Sequence, residues 1–390
     1  MPAGYKIETR CLALFLVITV GIRHNKKNIL KISLIALLVF FTVPALAKQI
    51  VIQRNSDGGW YYKYDSPVIK RIKPGDTIIV ATDIAYGYLH GLKGTKEKPI
   101  VILNKGKKIR FGTNGSYGLI LEDCHYFILD GSGDPNNKYG FVFGREKGDY
   151  APQTLSLGMS DNYEIKNVEI THGEVGFFSN YKTGENLKNI RIHDNWVHDM
   201  RGLGVTCEGM YFGNTSTASV KDIHFDSIQV YNNLFEDLGG DGLQMCNAQN
   251  YKVYNNTIRN YGIQNFDYQQ TGLLIGGNSW GEILNNTIEK GTGSGIQLFG
   301  CGYNLIKGNK LIATSTAERQ DGIYISKRGV DGPVCKTDVI NNTIVGARRN
   351  GIRNENGKDI ARPGRWTGNK ISGTKDTKYL TKLDIVSGTR

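Results

Sequence analysis

The chain has 390 residues, and its 48 Lys and Arg against 36 Asp and Glu side chains give a formal net charge of +12. A basic balance of this size suits an acidic polymer as a partner. The basic residues form no dense cluster with interleaved aromatic residues, so we expect no nucleic-acid partner. The six cysteines have neither C-x-x-C nor histidine-bearing spacing, which excludes a cysteine-ligated metal site.

Residues 1–47 are predicted to be an N-terminal targeting segment. The apolar run 32–41 follows three lysines and precedes Ala45-Leu46-Ala47, the order of a secretory signal. We expect cleavage after Ala47, which leaves a secreted or periplasmic mature chain, residues 48–390, without a membrane anchor. An earlier apolar run, residues 11–18, lacks such an ending and indicates an upstream start codon or an uncleaved anchor. Cleavage removes six of the 48 basic and one of the 36 acidic side chains, so the mature net charge is +7.

The first part of the mature chain, residues 48–131, contains short β-strand patterns separated by turns. Strands are predicted at 50–52, 77–80, 100–102, 118–121 and 126–130 from their β-branched and alternating apolar residues. Each run is too short to bury an apolar face alone.

A short pattern recurs after residue 207: a polar residue, a glycine, and then alternating apolar and outward positions. Successive glycines are 33, 30, 23, 27 and 29 residues apart, which is the length range of a repeating supersecondary unit. Some coils exceed the regular length of about 22 residues, so we expect loops at 213–222, 260–271 and 326–338. The glycines are Gly209, Gly242, Gly272, Gly295, Gly322 and Gly351.

An asparagine pattern alternates with these glycines, and each unit is predicted as strand, Asn-bearing turn, short strand, Gly-bearing turn and strand. No helix of useful length fits inside a unit, so coils must stack and share one core. The asparagines are interpreted as a structural ladder of side-chain amides. The pairs are Asn232-Asn233, Asn255-Asn256, Asn285-Asn286, Gly308-Asn309, Asn341-Asn342 and Gly368-Asn369.

Three motifs carry a resemblance to a known family. Residues 74–78 read Pro-Gly-Asp-Thr-Ile, Gly-Thr at 94–95 precedes Lys-Pro-Ile at 98–100, and later coils repeat Asn-Asn-Thr-Ile. Over roughly residues 70–372 the chain resembles right-handed parallel β-helix proteins of the pectin lyase-like superfamily, and its N-terminal part resembles bacterial polysaccharide lyases. The resemblance implies an all-β, single-domain solenoid over 48–390. The polygalacturonase and pectate lyase signatures are absent, so no catalytic residue is carried over.

The residues before the repeat glycines are predicted to form a column, because equivalent positions of stacked coils lie about 4.8 Å apart. Glu208 and Asp241 are neighbours in that column. Two such carboxylates repel when ionised, so either one holds a proton, as in an acid/base pair, or a Ca²⁺ ion lies between them. Gln244 and Asn247 are further candidate ligands.

A second, outward column is predicted two positions after the glycines, and it supplies candidate substrate-binding residues. Lys327, Arg328 and Arg353 are candidate bases for β-elimination from a uronate whose carboxylate Ca²⁺ would neutralise. The candidate substrate-binding residues are Tyr211, Gln244, Gln297 and Tyr324.

Alternative interpretations accompany each candidate. A polar residue before glycine also suits a tight turn, with the Asp side chain bonding the backbone and Gly taking a positive φ. His198 and Asp199 form a conceivable dyad, but adjacent side chains are expected to point apart. Unpaired cysteines are expected in or near the core.

The sequence thus favours a secreted, monomeric polysaccharide lyase acting on an acidic, uronate-containing polysaccharide. The alternatives are a polysaccharide hydrolase and a non-catalytic β-helix that binds glycan or belongs to the cell envelope. A groove flanked by loops 213–222 and 260–271 over the acidic pair would favour an enzyme.

Overall fold

A computed structural model describes residues 47–113, 117–146, 150–180, 184–202, 207–214, 222–299, 302–317, 320–326, 336–355, 364–376 and 379–381. The predicted targeting segment lies outside these residues, apart from Ala47. In the part of the chain that is described, no helix is long and apolar enough to cross a membrane.

Three parallel sheets, here called A, B and C, run the length of the molecule. The first two coils pass from sheet A to sheet B, and from the third coil on the chain visits the sheets in the repeated order A, C, B. Each strand pairs with the equivalent strands of the coils before and after it. Sheet A contains Gln49–Val51, Thr77–Val80, Ile100–Asn104, His125–Asp130, Asp161–Lys166, Asn186–His193, His224–Tyr231, Ala248–Tyr254, Trp280–Leu284, Tyr303–Lys307, Lys336–Ile340 and Trp366–Thr367.

Sheets B and C complete the coil. Together with sheet A they form a parallel β-helix, as the repeat spacing predicts. Sheet B contains Trp60–Tyr62, Gly87–His90, Tyr117–Glu122, Gln153–Ser156, Phe177–Ser179, Met210–Phe212, Leu243–Cys246, Leu273–Gly276, Ile296–Phe299, Ile323–Ser326, Ile352–Asn354 and Tyr379–Thr381. Sheet C contains Ile109–Phe111, Phe141–Phe143, Val168–Thr171, Trp196–Met200, Leu234–Leu238, Thr257–Arg259, Thr287–Glu289, Lys310–Ile312, Thr343–Val345 and Lys370–Ser372.

One short helix, Pro67–Arg71, is found among the described residues, in the first coil. Its proline stands in the first turn, where a missing N–H costs nothing, and Ser66 Oγ accepts a hydrogen bond from Ile69 N at 3.2 Å. Ile69 is buried against the core, so the helix closes part of the first coil.

The core fills the interior of the coil with the inward side chains of all three sheets. Stacked Ile, Leu, Val and Phe side chains, such as Ile258, Ile288 and Leu311 on successive sheet C strands, are fully buried. Burying one such side chain contributes about 1.5–3 kcal/mol, and it can be buried only when the neighbouring coils are in place.

The asparagine ladder is confirmed at the turn between sheets A and C. Asn286 is typical: its Nδ2 donates to Val253 O at 2.9 Å and to Asn309 Oδ1 at 3.0 Å. Its Oδ1 in turn accepts from Asn256 N and Asn256 Nδ2, each at 3.0 Å. The ladder runs through Asn195, Asn233, Asn256, Asn286, Asn309, Asn342 and Asn369.

The residue before each ladder asparagine takes the left-handed backbone conformation. Asn285 has φ 53° and Gly308 has φ 70°, and their equivalents in other coils match them. Glycine and asparagine are the residues that tolerate this region, which explains why the sequence alternates Asn-Asn with Gly-Asn.

The alternative interpretation, in which the repeat glycines take positive φ in tight turns, does not hold for the glycines. Gly209, Gly242, Gly272, Gly295 and Gly322 lie outside the left-handed region. They are required because the backbone of the next coil passes too close for a Cβ atom. At Gly242 a Cβ would lie 2.5 Å from Ile258 Cγ2 and closer still to the Gly272 carbonyl oxygen.

Gly242→Ala is therefore expected to lower the free energy of unfolding by about 3 kcal/mol, since the carbonyl it meets belongs to rigid backbone. Gly302→Ala is the matched control, because a Cβ there would have only ordinary contacts at 3.5 Å or more. Urea unfolding of the two variants measures the difference. Equal midpoints would contradict the close-approach explanation.

The three edges of the coil differ in loop length. The turn from sheet A to sheet C holds two residues in each of the last seven coils, whereas the connection from C to B holds four to thirteen. The expected loop 260–271 is present between sheets C and B. Most of the other two expected loops, 213–222 and 326–338, lies outside the described residues.

Candidate functional site

The predicted column before the repeat glycines is confirmed in position. Gly209 N donates to Asp241 O at 3.0 Å, and Gly242 N donates to Thr271 O at 2.9 Å. The same bond recurs down the stack, so Glu208 and Asp241 occupy equivalent sites on adjacent coils.

Both carboxyl groups of this pair are completely buried. Burial, reinforced by the charge of Asp241, raises the pKa of Glu208 to about 8, and burial raises the pKa of Asp241 to about 7. Asp241 Oδ1 accepts a 2.5 Å hydrogen bond from Thr271 N of the next coil. The pair is thus packed inside the wall of the coil, where it holds protons near neutral pH.

The donor set offers little for Ca²⁺, which takes six to eight oxygen ligands. One Asp241 oxygen is already engaged with Thr271, and Gln244 is 2 % exposed. Among the described residues, no group of three or more His, Cys, Asp or Glu side chains is arranged to hold a metal ion. The Ca²⁺ site between Glu208 and Asp241 stays a prediction, and no catalytic step is derived through it.

Asp321, three coils beyond Asp241 in the column, has a structural role. Its carboxylate forms an ion pair with Arg349 and accepts hydrogen bonds from Asn350 N at 3.1 Å and Asn350 Nδ2 at 2.7 Å. Asp321 and Asp241 both accept a bond from the backbone of the next coil, which supports the interpretation that these acids join neighbouring turns.

The predicted outward column on sheet B is confirmed in register. Tyr211 pairs with Gln244, and Gln297 pairs with Tyr324, which pairs with Arg353. Gln244 is nearly buried, whereas the other four are partly exposed. Their roles stay predictions, but they lie in a continuous line along one face.

A groove of about 630 Å³ opens beside this column. Gln297 and Phe299, on the outward face of one sheet B strand, line it together with residues of three C-to-B loops, which carry Tyr268, Gln320 and Arg348. The shorter loop 290–295, between the first two of these loops, leaves the space open. The other lining residues are Asn265, Asp267, Tyr268, Gln270, Thr271, Thr316, Ala317, Gln320 and Arg348.

Backbone hydrogen bonds hold both walls of the groove. Gln264 N donates to Gly239 O at 3.0 Å, and Ala317 N donates to Thr292 O at 2.9 Å. Arg348 Nη1 donates to Thr316 O at 3.1 Å across the second wall. The walls are therefore fixed to the neighbouring coils, so the groove is preformed.

The acidic pair adjoins this groove through Thr271. Thr271 N donates to Asp241, and Thr271 Oγ1 donates to Gln297 Oε1 at 2.8 Å. Loop 260–271 flanks the groove as expected. Thr316, Ala317 and Gln320 form the opposite wall, and the groove lies beside the pair instead of above it.

Arg353 belongs to a small polar cluster next to the groove. It forms an ion pair with Glu355 and lies 5.7 Å from the centre of the Tyr324 ring. Tyr324 donates a 2.5 Å hydrogen bond to Glu355 and makes an edge contact with Phe299, which lines the groove. Lys327 and Arg328, the other candidate bases, lie outside the described residues.

Histidine geometry differs from the expectation. Adjacent side chains were predicted to point apart, but Asp199 has φ 52°, which turns its carboxylate back to His198 Nδ1 at 2.8 Å. The His198 ring is stacked on Trp196, and its Nε2 atom lies 3.5 Å from the Glu169 carboxylate. These sheet C residues precede the groove residues in the chain and do not line the groove. His198 is buried and the Asp199 carboxylate is about half exposed, so this dyad is local turn structure.

The cysteine expectation is confirmed for the three described cysteines, Cys124, Cys207 and Cys246, which are buried and unbridged. Burial raises the pKa of each thiol to about 12, so none is a nucleophile at neutral pH. Cys301 and Cys335 lie outside the described residues.

The sequence candidates include few of the groove residues; Asp267, Gln320 and Arg348 are among those that they omit. These three belong to loops without periodicity, so no repeat signal marks them. Tyr268 is also absent from the candidates, yet it is 73 % exposed and has φ 67°, an uncommon backbone for a bulky side chain.

Comparison with known proteins agrees with this architecture. Residues 205–371 match the family model described as right handed beta helix region. Together with the three parallel sheets, this match identifies the fold as a right-handed parallel β-helix. No curated protein sequence matches it.

Solved structures of the same fold include an alginate lyase from Paenibacillus sp. str. FPU-7, with 14 % identity, TM-score 0.53, and coverage of 85 % of this chain and 98 % of that one. The A-module of the Azotobacter vinelandii mannuronan C-5 epimerase AlgE4 matches with 13 % identity, TM-score 0.43, and coverage of 79 % and 89 %. A lacto-N-biosidase from Eubacterium ramulus matches with 10 % identity, TM-score 0.39, and coverage of 80 % and 63 %. At these identities the likeness concerns the fold.

Proposed function

We propose that the protein binds an acidic polysaccharide in the sheet B groove and cleaves it by β-elimination. The observation that carries the proposal is the lining of the groove, which combines amide side chains, exposed aromatic rings and an arginine on fixed walls. Alginate lyase activity is named for a protein of the same fold, which makes this substrate class a reasonable one to test.

The lining suits a sugar chain. Asn265, Gln297 and Gln320 offer amides that can donate and accept at once, as neighbouring sugar hydroxyls require. Tyr268 and Phe299 present flat apolar surfaces on which the C–H face of a sugar ring can pack.

Positive charge favours an acidic sugar. Arg348 lines the groove, and Arg353 lies next to it behind Phe299 and Tyr324. A guanidinium matches the two oxygens of a carboxylate, so either arginine can hold a uronate.

The acidic residues favour elimination over hydrolysis. Glycoside hydrolysis uses two carboxyl groups flanking the bond, whereas Asp267 is the one carboxylate among the described lining residues. Glu208 and Asp241 are buried behind Thr271 and do not reach the groove surface. This supports a lyase over the alternative hydrolase.

In β-elimination a base removes the proton on the carbon next to the uronate carboxyl, a double bond forms, and the glycosidic C–O bond breaks with protonation of the leaving oxygen. Arginine stays charged at neutral pH even though burial lowers the pKa of Arg353, so we assign Arg353 to neutralising the substrate carboxylate. Lys327 remains the candidate base.

Arg353→Ala is expected to lower kcat/KM about 100-fold, because one preorganised donor to developing charge is worth about that much. The mature protein is incubated with pectate, alginate, glucuronan and glycosaminoglycans, with and without Ca²⁺. Ultraviolet absorbance of unsaturated uronides and new reducing ends are followed together. Arg353→Lys should recover part of the activity.

Lys310→Ala, an exposed change on sheet C, is the control and should leave the rate unchanged. Reducing ends without absorbance would show a hydrolase. Binding of a polymer without either product would favour the non-catalytic glycan-binding alternative.

A further inference from the structure

A second groove, of about 590 Å³, lies on the outer face of sheet A near the start of the coil. The turn 95–99 forms one wall, and outward residues of three successive sheet A strands form the floor. The residues that decide its chemistry are Lys96, Tyr126, Asn162, Asn189 and Arg191.

The wall is a fixed turn. Thr95 N donates to Lys98 O at 3.1 Å, and Lys98 N donates to Thr95 Oγ1 at 3.1 Å. Gly94 N donates to His125 O at 2.9 Å, and a Cβ at Gly94 would lie 2.9 Å from Ile100 N, so the turn packs directly on the sheet. Lys96 is exposed on this turn, beside the floor.

The floor is a row of equivalent positions. Strand register aligns Tyr126, Asn162 and Asn189, which have φ values of 53°, 51° and 53°. Asn189 Nδ2 donates to Asn162 Oδ1 at 2.8 Å, which places two amides side by side. Asparagine suits this backbone, whereas tyrosine is rare there and sets an aromatic ring at the end of the row.

The groove is positively charged. Lys96 and Arg191 line it, and its one described carboxylate is Glu164. Hydrogen bonds from His193, Lys166 and Arg191 hold the pKa of Glu164 well below its usual range. Arg191 forms an ion pair with that carboxylate, so the described lining holds two cations against one carboxylate. Lys166, 2.9 Å from Glu164, also lies 3.6 Å from Asp130, and His193, 3.3 Å from Glu164, also lies 2.6 Å from Asp194, so neither adds net positive charge to the groove.

We propose that this sheet A groove is a second binding site for a carboxylate-bearing oligosaccharide, distinct from the groove on sheet B. Lys96 and Arg191 bind the carboxylate, and the amides of Asn162 and Asn189 bind sugar hydroxyls. The positive charge and the amide row are observed directly, whereas the choice of a sugar as the carrier of the carboxylate rests on the proposed function. Such a site would hold a polymer on a face that does not cleave it.

Calorimetric titration tests the proposal with short oligomers of galacturonate, mannuronate and glucuronate, and with a glucose oligomer of equal length. The Arg353→Ala background slows cleavage about 100-fold. We expect two sites per chain for an acidic oligomer, one in each groove, and none for the neutral one. Lys96→Glu in this background should weaken binding at the sheet A site at least about tenfold and leave the sheet B site unchanged, because it replaces an attraction by a repulsion.

Lys252→Glu is the matched control, since Lys252 is two coils beyond Arg191 in the same register column and outside the groove. It should leave the affinity unchanged. Equal affinities for Lys96→Glu and its parent, or no acidic oligomer bound, would overturn the proposal. Cleavage is measured separately with Lys96→Glu in the otherwise wild-type chain. Failure of the proposed lyase function appears in the cleavage assay, whereas failure of the second site appears in the titration, so the two are distinguished.

Discussion

Replacing Asn286 with alanine is expected to lower the free energy of unfolding by about 4 kcal/mol. The side chain is fully buried and exchanges hydrogen bonds with the coils on both sides. Its removal takes the acceptor from Asn256 N and from one of the two Asn256 Nδ2 hydrogens, the other of which stays bonded to Val230 O, and it takes the amide donor from Val253 O. Each buried polar group left unsatisfied costs about 1–3 kcal/mol.

Urea unfolding followed by circular dichroism measures this loss. Asn285→Gly is the matched control, because Asn285 is the exposed preceding residue, and glycine accepts its φ of 53°. The control should change stability by less than about 1 kcal/mol. A similar small loss for Asn286→Ala would mean that water or neighbouring groups satisfy the ladder without the amide.

The second large effect is a loss of stability as pH rises. The pKa of Glu208 is raised to about 8 and that of Asp241 to about 7, against ordinary values of 4.5 and 3.8. Below about pH 4 both groups are protonated in the folded and the unfolded chain, and they contribute no pH dependence. Between about pH 4 and 8 the unfolded chain releases protons that the folded chain keeps, so the free energy of unfolding falls.

Asp241→Asn should remove much of this dependence and stabilise the protein at pH 8 by on the order of 3 kcal/mol, because an amide does not ionise. The raised pKa values of His125, His193 and His198 also lower stability as pH rises, so the difference between variant and wild type isolates the acidic pair.

Denaturant midpoints at pH 5, 7 and 9 provide the test. Asp267→Asn, the same exchange at an exposed groove residue, should leave the slope of stability against pH as in wild type. If Asp241→Asn also keeps that slope, the pair is ionised in the folded protein and the burial argument fails.

The repeat pattern predicts the part of the molecule that stacking controls. Gly242 and Asn286 stand at fixed places in their coils, so their spacing predicts the order of strands and the register of Tyr324 beside Arg353. A one-residue slip would move every core side chain to the surface, which is why the register is so well determined.

The candidate site is predicted less completely, because loops and side-chain partners follow no period. The width and depth of the groove depend on how far the loops carrying Tyr268 and Gln320 project from the sheet. The sequence of these loops does not specify that distance. Glu355, which holds Arg353, also falls outside the repeat pattern. The left-handed backbone of Asp199 reverses a side-chain direction that ordinary alternation would predict.

The last seven coils share a two-residue turn between sheets A and C, so the three edges of the coil differ in the insertions that they tolerate. An inserted residue there would break the amide ladder, whereas the other two edges already carry connections of many lengths. New loops, and with them new specificities, can therefore be exchanged at two edges while the third keeps the coils aligned. The molecule can therefore serve as a scaffold for grafted loops at two edges, provided that the turn between sheets A and C is left unchanged.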